Sequence, residues 1–323
     1  MPSGDPVFEN TSVFNGRVLV HVHLYYRKMW PQLRNCLDNL QGIAWDLCVT
    51  LVEHDTALED EIKTFKPDAT VLTVLNRGFD VGPFLEALSY CDLSKYDLIL
   101  KLHSKRDVKP LTTVNGIVDV SGSKWRELLL SPVSSKENFL KCLKAFAQDK
   151  SLGMTGNYSL IQKVVKRGDF NSFVIRQAKD LLKSLNLNPY PQESFDFVAG
   201  TMFMLRAEIA QKLKDLNLHC ADFEVPDRHK RDFDLAHVFE YLFGWLVSSM
   251  SNDEGVHYRI ADPYTPKLKQ DLDFRYWLSR HLYLKKMCRF IWRRTYCSKT
   301  QCIECRIFKL KISFLSKFTG SKS

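Results

Sequence analysis

Four short stretches of this 323-residue chain gather side chains that could do chemistry. In YDLILKLHSKRD (96–107) an apolar run ends abruptly in His103, Ser104, Lys105, Arg106 and Asp107. Alternation along an extended segment puts His103 and Lys105 on one side. An imidazole and an ammonium so placed could neutralise a diphosphate without a metal. The plainer alternative is a solvated strand end whose cations reach water. In NRGFDVG (76–82), Gly78 and Gly82 would let backbone approach a ligand closely. Arg77 could pair with a phosphate there, and Asp80 could accept from a ribose or sugar hydroxyl. The plainer alternative is a tight turn in which Asp80 caps the next helix. In FVAGTMFMLRAE, Gly200 marks either a bulge with a ligand packed on the backbone or a simple bend. Finally, Asp234, His237 and Glu240 are spaced i, i+3, i+6, so neighbouring members share a helix face. They could bring a general base to a crevice; otherwise Asp234 is an N-cap with an exposed stripe behind it. No His/Cys/Asp cluster has strong metal spacing, and Cys302/Cys305 is a lone pair, so zinc is not expected.

These residues need elements to position them. RVLVHVHLYY (17–26) reads as a buried strand, and Trp30-Pro31 opens a helix with Leu33, Cys36, Leu37 and Leu40 at helical spacing. WDLCVTLVEH is a second strand, followed by a helix that starts at Asp55 and closes before Pro67. ATVLTVLN is a third strand, after which Pro83 sits in the first turn of a helix running to Tyr90. YDLILKLH is the fourth. Helices follow around Trp125 and over 136–148, then a short strand in SLGMTG. Residues 163–187 form an amphipathic helical insertion, FDFVAGTMFMLRAEIAQKL is one strand turning into a helix, and 234–250 is a last helix. Strands alternating with helices over short links predict an α/β fold with a mostly parallel sheet covered on both faces. In such sheets ligands bind beyond the carboxyl ends of the strands, and the ends of the first four strands, His23/Tyr25/Tyr26, Glu53/His54/Asp55, Asn76 to Asp80 and His103/Ser104/Lys105, are all polar or aromatic.

Composition narrows the classes. The formal net charge is +9, yet residues 280–323 alone carry 12 Lys+Arg against Glu304, leaving the rest at −2. A near-neutral body argues against nucleic acid as its ligand. The basic, aromatic segment suits an anionic membrane surface; the alternatives are a helix packed on the body or a loose tail. Nine cysteines without a signal-peptide pattern predict reduced thiols and a cytoplasmic location. The expected organisation is a loose arm over 1–16, one α/β domain over 17–279 and the tail over 280–323.

Taken in order, NRGFDVGPFL, YDLILKLHSKRD, KWRELLL, FVAGTMFMLR and DLAHVFEYLFGWL resemble the rhamnan synthesis protein F family of bacterial glycosyltransferases. The resemblance covers Arg17 to about Met250. It implies the nucleotide-sugar-binding type A glycosyltransferase fold, a Rossmann-like α/β architecture. It further implies transfer of rhamnose or a related sugar from a nucleoside diphosphate sugar to a lipid-linked cell-surface polysaccharide, such as O-antigen, at the inner face of the membrane. On that resemblance Arg77, His103 and Lys105 face the diphosphate, with Gly78, Gly82 and Gly200 giving close backbone approach. Asp80 takes the nucleoside or sugar, and Asp234 or Glu240, beside His237, is the base. Enzymes of that fold commonly carry an Asp-x-Asp metal motif where this chain has His103-Ser104-Lys105, so no metal ligand and no required cofactor is assigned. The family's last helix often has an arginine after its glutamate, where this chain has Tyr241. Two other readings stand beside the first: a non-catalytic scaffold for a polysaccharide assembly complex, and a transferase using a divalent cation on Asp80 and Asp234.

Overall fold

The computed structural model describes residues 14–106, 111–112, 119–120, 122–165, 173–191, 194–226 and 234–267. In chain order its elements are β1 (Arg17–His23), α1 (Trp30–Leu37), β2 (Ala44–Leu51), α2 (Thr56–Phe65), β3 (Thr70–Thr73), α3 (Val81–Tyr90) and β4 (Leu98–His103). The short β5 (Leu111–Thr112) and β6 (Asp119–Val120) precede α4 (Gly122–Leu130), α5 (Lys136–Gln148), β7 (Leu152–Thr155) and β8 (Ile161–Val165). Then come α6 (Phe173–Ser184), β9 (Ser194–Val198), β10 (Phe203–Arg206), α7 (Ala207–Asp215), α8 (Leu235–Ser249) and β11 (Arg259–Ala261).

Seven strands form one sheet in the order β11-β7-β10-β4-β1-β2-β3. β1 lies parallel to β2 and β4, and β2 parallel to β3, while β10 runs antiparallel to β4 and β7. β1 and β4 are buried almost throughout, as strands covered on both faces must be. Helices α2 and α5 start where short polar side chains satisfy their first amides: Asp55 accepts from the Leu58 amide at 3.1 Å, and Ser135 from Asn138 at 3.1 Å. The chain steps from β1 outward to β2 and β3, then returns across β1 to place β4 on its other side. Right-handed crossovers therefore put α1 and α2 on one face and α3 on the opposite one. The reversal opens a crevice at the carboxyl ends of β1 and β4, where His23 and His103 sit in register.

The mostly parallel α/β sheet is as expected, with three corrections. FDFVAGTMFMLR is not one strand: it breaks at Gly200-Thr201, so that β9 pairs with β8 in a separate ribbon and β10 joins the main sheet. Both residues of the break have positive φ, 81° and 54°, which an extended strand cannot contain. The segment 163–187 is not wholly helical, because Lys163 lies within β8, paired with Asp196; its helix begins at Phe173. β11 was not anticipated. The arm before residue 14 and the tail after 267 lie outside the described residues. Among the described residues no helix is long and apolar enough to cross a membrane.

Candidate functional site

Lys101 is the centre of the arrangement. It lies on β4 between Leu100 and Leu102, opposite His21 on β1 and Phe203 on β10, and is wholly inaccessible to solvent. Its ammonium stands 5.4 Å from the ring centroid of Phe84 and 5.9 Å from those of Phe203 and Phe243. Ring faces attract a cation, but a buried ammonium also needs a counter-charge and acceptors. Asp80 supplies the charge at 2.5 Å, and Thr201 accepts through its carbonyl at 2.9 Å and its hydroxyl at 3.2 Å. The Thr201 hydroxyl donates its own hydrogen bond to the same Asp80 oxygen at 2.5 Å. Asp80 thus does not cap α3 with its side chain; it turns inward to the lysine.

The electrostatics follow from this packing. Burial would raise the Asp80 carboxyl, but His103, Lys101 and the Lys101 and Thr201 hydrogen bonds hold it well below the usual carboxylate range. Burial pushes His103 down to about 4, with Asp80 opposing it. His103 is therefore neutral at pH 7, and Lys101 is the counter-ion of Asp80. Burial also lowers His23 to about 3 and holds His21 well below the usual imidazole range. Both rings reach the Thr50 hydroxyl at 3.0 Å, forming a neutral polar seam beside the ion pair.

The Gly200-Thr201 break is clamped from three sides. His103 Nε2 meets the Gly200 carbonyl at 3.0 Å, and Glu240 on α8 accepts the Gly200 amide at 2.7 Å. Lys101 holds the Thr201 carbonyl. A side chain at position 200 would run into Leu129 and Trp125 besides requiring φ of 81°. Burial raises the Glu240 carboxyl, the Gly200 amide partly offsetting it.

Around this clamp opens a pocket of about 220 Å³. Phe79 and Asp80 line it from the turn before α3, Val81 from the start of α3, Gly200 and Thr201 from the break, and Ala236, His237 and Glu240 from α8. Lys105, just past β4, completes it. Asp234 heads α8 and is not among the lining residues; its carboxylate caps the helix through the His237 amide at 3.0 Å and takes the His237 ring Nδ1 at 2.6 Å. Arg77 is also outside the lining, donating to the carbonyls of Ala221 at 3.1 Å and Phe223 at 3.4 Å. Gly78 lies under the Phe223 ring and Gly82 against the Arg77 carbonyl, so both serve the packing of this turn.

The structure thus brings Asp80, Lys105, Gly200, His237 and Glu240 together, sets His103 beneath them, and attaches Asp234 through His237. Sequence reasoning missed Lys101, Thr201 and Phe79. The lysine alone left a signal: a cation between two leucines of a central strand has no path to water and so demands a buried partner.

A family model described as rhamnan synthesis protein F matches residues 7–252. Two proteins from strains of Xanthomonas campestris pv. campestris, each described as "Uncharacterized protein WxcX", are 27% identical over 173 residues, covering 54% of this chain. The chain spans only 23% of the length of those relatives. The family match runs from ahead of β1 to beyond the end of α8 and takes in every wall of the pocket, and by it the chain belongs to the rhamnan synthesis protein F family.

Proposed function

We propose that this chain acts in polysaccharide synthesis as a glycosyltransferase of the nucleotide-sugar-binding type A kind. It moves rhamnose or a related sugar from a nucleoside diphosphate to a lipid-linked cell-surface glycan, working on the cytoplasmic face of the membrane. The observation that carries the proposal is the convergence of an ionised carboxylate, a carboxylate-held imidazole and a lysine around one small pocket beside the sheet's switch point. The pocket's volume of about 220 Å³ is below that of pockets for drug-sized ligands. That suits one pyranose ring, with the diphosphate outside it toward Lys105.

The roles follow from reach. His237 takes the proton of the acceptor hydroxyl at Nε2, while Asp234 holds Nδ1–H and stabilises the imidazolium that forms. The acceptor oxygen bonds to the anomeric carbon as the bond from that carbon to the diphosphate breaks. The leaving nucleoside diphosphate keeps the electron pair, and Lys105 meets its charge. This single displacement inverts the anomeric centre. Asp80 accepts from a sugar hydroxyl through the oxygen not given to Lys101, and Glu240 and His103 hold the Gly200 break in shape.

A divalent cation on Asp80 and Asp234 would have to use the second oxygen of each. The bound oxygen of Asp80 is already shared by an ammonium and a hydroxyl, and Asp234 Oδ1 is shared by the amide and ring of His237. Among the described residues no three His, Cys, Asp or Glu side chains are grouped as metal ligands. The test is calorimetry of the purified full chain with a panel of nucleoside diphosphate sugars, followed by linkage analysis of the product. Binding and transfer of one donor support the proposal; no binding of any donor favours the non-catalytic scaffold.

A further inference from the structure

Phe79 occupies a position that costs the fold something. It follows Gly78 in a turn closed by the Val81 and Gly82 amides on the Gly78 carbonyl, at 2.9 and 3.1 Å. Its φ is 53°, and Asp80 follows at φ −94°, ψ −9°. These φ values, with the Gly78–Val81 bond, match a type II′ turn, whose first central position ordinarily belongs to glycine. A bulky side chain there is strained. The residue is also 40% exposed, so burial does not explain its presence. What the turn does achieve is placement. The ring stands edge-on to His237, centroids 6.1 Å apart, at the wall of the pocket, and the next residue is Asp80. Beside it Val81 and Ala236 add apolar surface, while Asp80, His237 and Lys105 supply the polar side.

A pocket lined by one aromatic ring together with carboxylate, imidazole and ammonium groups suits a pyranose. The ring of a sugar has an apolar C–H face and a hydroxyl rim, and an aromatic face covers the first while charged groups bond the second. Resting on the reading given above, we infer that Phe79 is the sugar-stacking residue of this site, and that the strained turn is kept because it presents the ring and Asp80 together. Phe79 then discriminates the glycosyl part of the donor and leaves its nucleoside untouched.

The test compares thymidine diphosphate rhamnose and uridine diphosphate glucose with free thymidine and uridine diphosphate. Each is titrated into wild type, Phe79→Trp, Phe79→Leu, Phe79→Gly and Asp80→Asn. The expected result is about ten-fold weaker binding of the nucleotide sugar by Phe79→Leu, unchanged binding of the free diphosphates, and wild-type affinity in Phe79→Trp. Phe79→Gly, which relieves the turn, melts no more than about 2 °C below wild type. Wild-type sugar binding by Phe79→Leu overturns the inference, as does an equal loss for the free diphosphates, which would put the base on the ring. A drop of many degrees in Phe79→Gly would make the residue a packing element. If Phe79→Leu alone is silent while Asp80→Asn abolishes binding, only the stacking role fails. If wild type takes none of the probes, or Asp80→Asn is silent too, the sugar site itself fails.

Discussion

The Nζ of Lys101 and the Oδ2 of Asp80 stand 2.5 Å apart, although α3 lies between them in the chain and the lysine has no contact with solvent. The pair links β4 to the turn before α3, and Thr201 extends it to the break ahead of β10. Three segments far apart in sequence therefore share one pair of charges.

Breaking that pair should cost more than removing it. Lys101→Met leaves Asp80 mostly buried without its counter-ion, an expected loss of about 3 kcal/mol. The double variant Asp80→Asn/Lys101→Met removes both charges and should recover most of that loss while binding no donor. Denaturant unfolding measures the first and calorimetry the second. Equal destabilisation of the single and double variants would sink the counter-ion role.

Acid should weaken the fold before it reaches Asp80. Burial holds His103 at about 4 and His23 at about 3, against about 6.5 in an unfolded chain. Between those values the unfolded chain binds protons that the native one refuses. Stability then falls with falling pH, by up to about 1.4 kcal/mol per histidine per pH unit. Asp80, depressed in the native state, gives its full contribution above about pH 4 and loses it only below. Urea midpoints should drop steadily from pH 7 to 5, and His103→Gln should flatten the slope by about one proton. A midpoint that does not move over this range contradicts the burial of neutral histidines.

Asp234→Asn separates capping from catalysis. Asparagine caps a helix as well as aspartate does, so melting and donor affinity should hold. The imidazole loses the carboxylate that steadies its charge, and kcat should fall roughly 100-fold. Unchanged kcat would remove His237 from the role of base.

Lys105→Ala tests the leaving group. A donor aimed at charge developing in the transition state is worth about 2–4 kcal/mol, a loss of roughly 30- to 1000-fold in turnover with the fold intact. Near-normal transfer by the folded variant refutes the role.

Truncation after Ser279 tests the basic segment. The full chain should sediment with vesicles rich in anionic lipid and the shortened one should not. Equal partitioning would clear the segment of any part in anchoring.

Much of the fold was legible because strands covered on both faces must be apolar and helices packed on a sheet carry apolar residues at helical spacing; β1 to β4 and the helices between them read directly from those needs. The candidate site was legible in its outline and not in its centre. His103 and Lys105 are polar at a strand end and attract notice, whereas Lys101 hides within an apolar run. Its partner is 21 residues earlier, and only the return of the chain across β1 makes them neighbours. Asp80 followed by a helix reads as a cap, and the local reading failed because a buried ammonium outbids an amide that water or backbone can satisfy. The break at Gly200-Thr201 was half visible: the glycine marks a bend, but the left-handed threonine after it depends on His103, Glu240 and Lys101 arriving from elsewhere.

The way Asp80 is satisfied bears on what competes with the acceptor. A carboxylate at a pocket floor ordinarily recruits water, and an ordered water beside an activated sugar is itself a nucleophile. Here an ammonium and a threonine hydroxyl already serve as the hydration of one oxygen, so the floor needs little solvent of its own. On the proposed reading the consequence is fidelity: the donor is spent on a glycosidic bond, and its futile hydrolysis is suppressed by a lysine that never touches it.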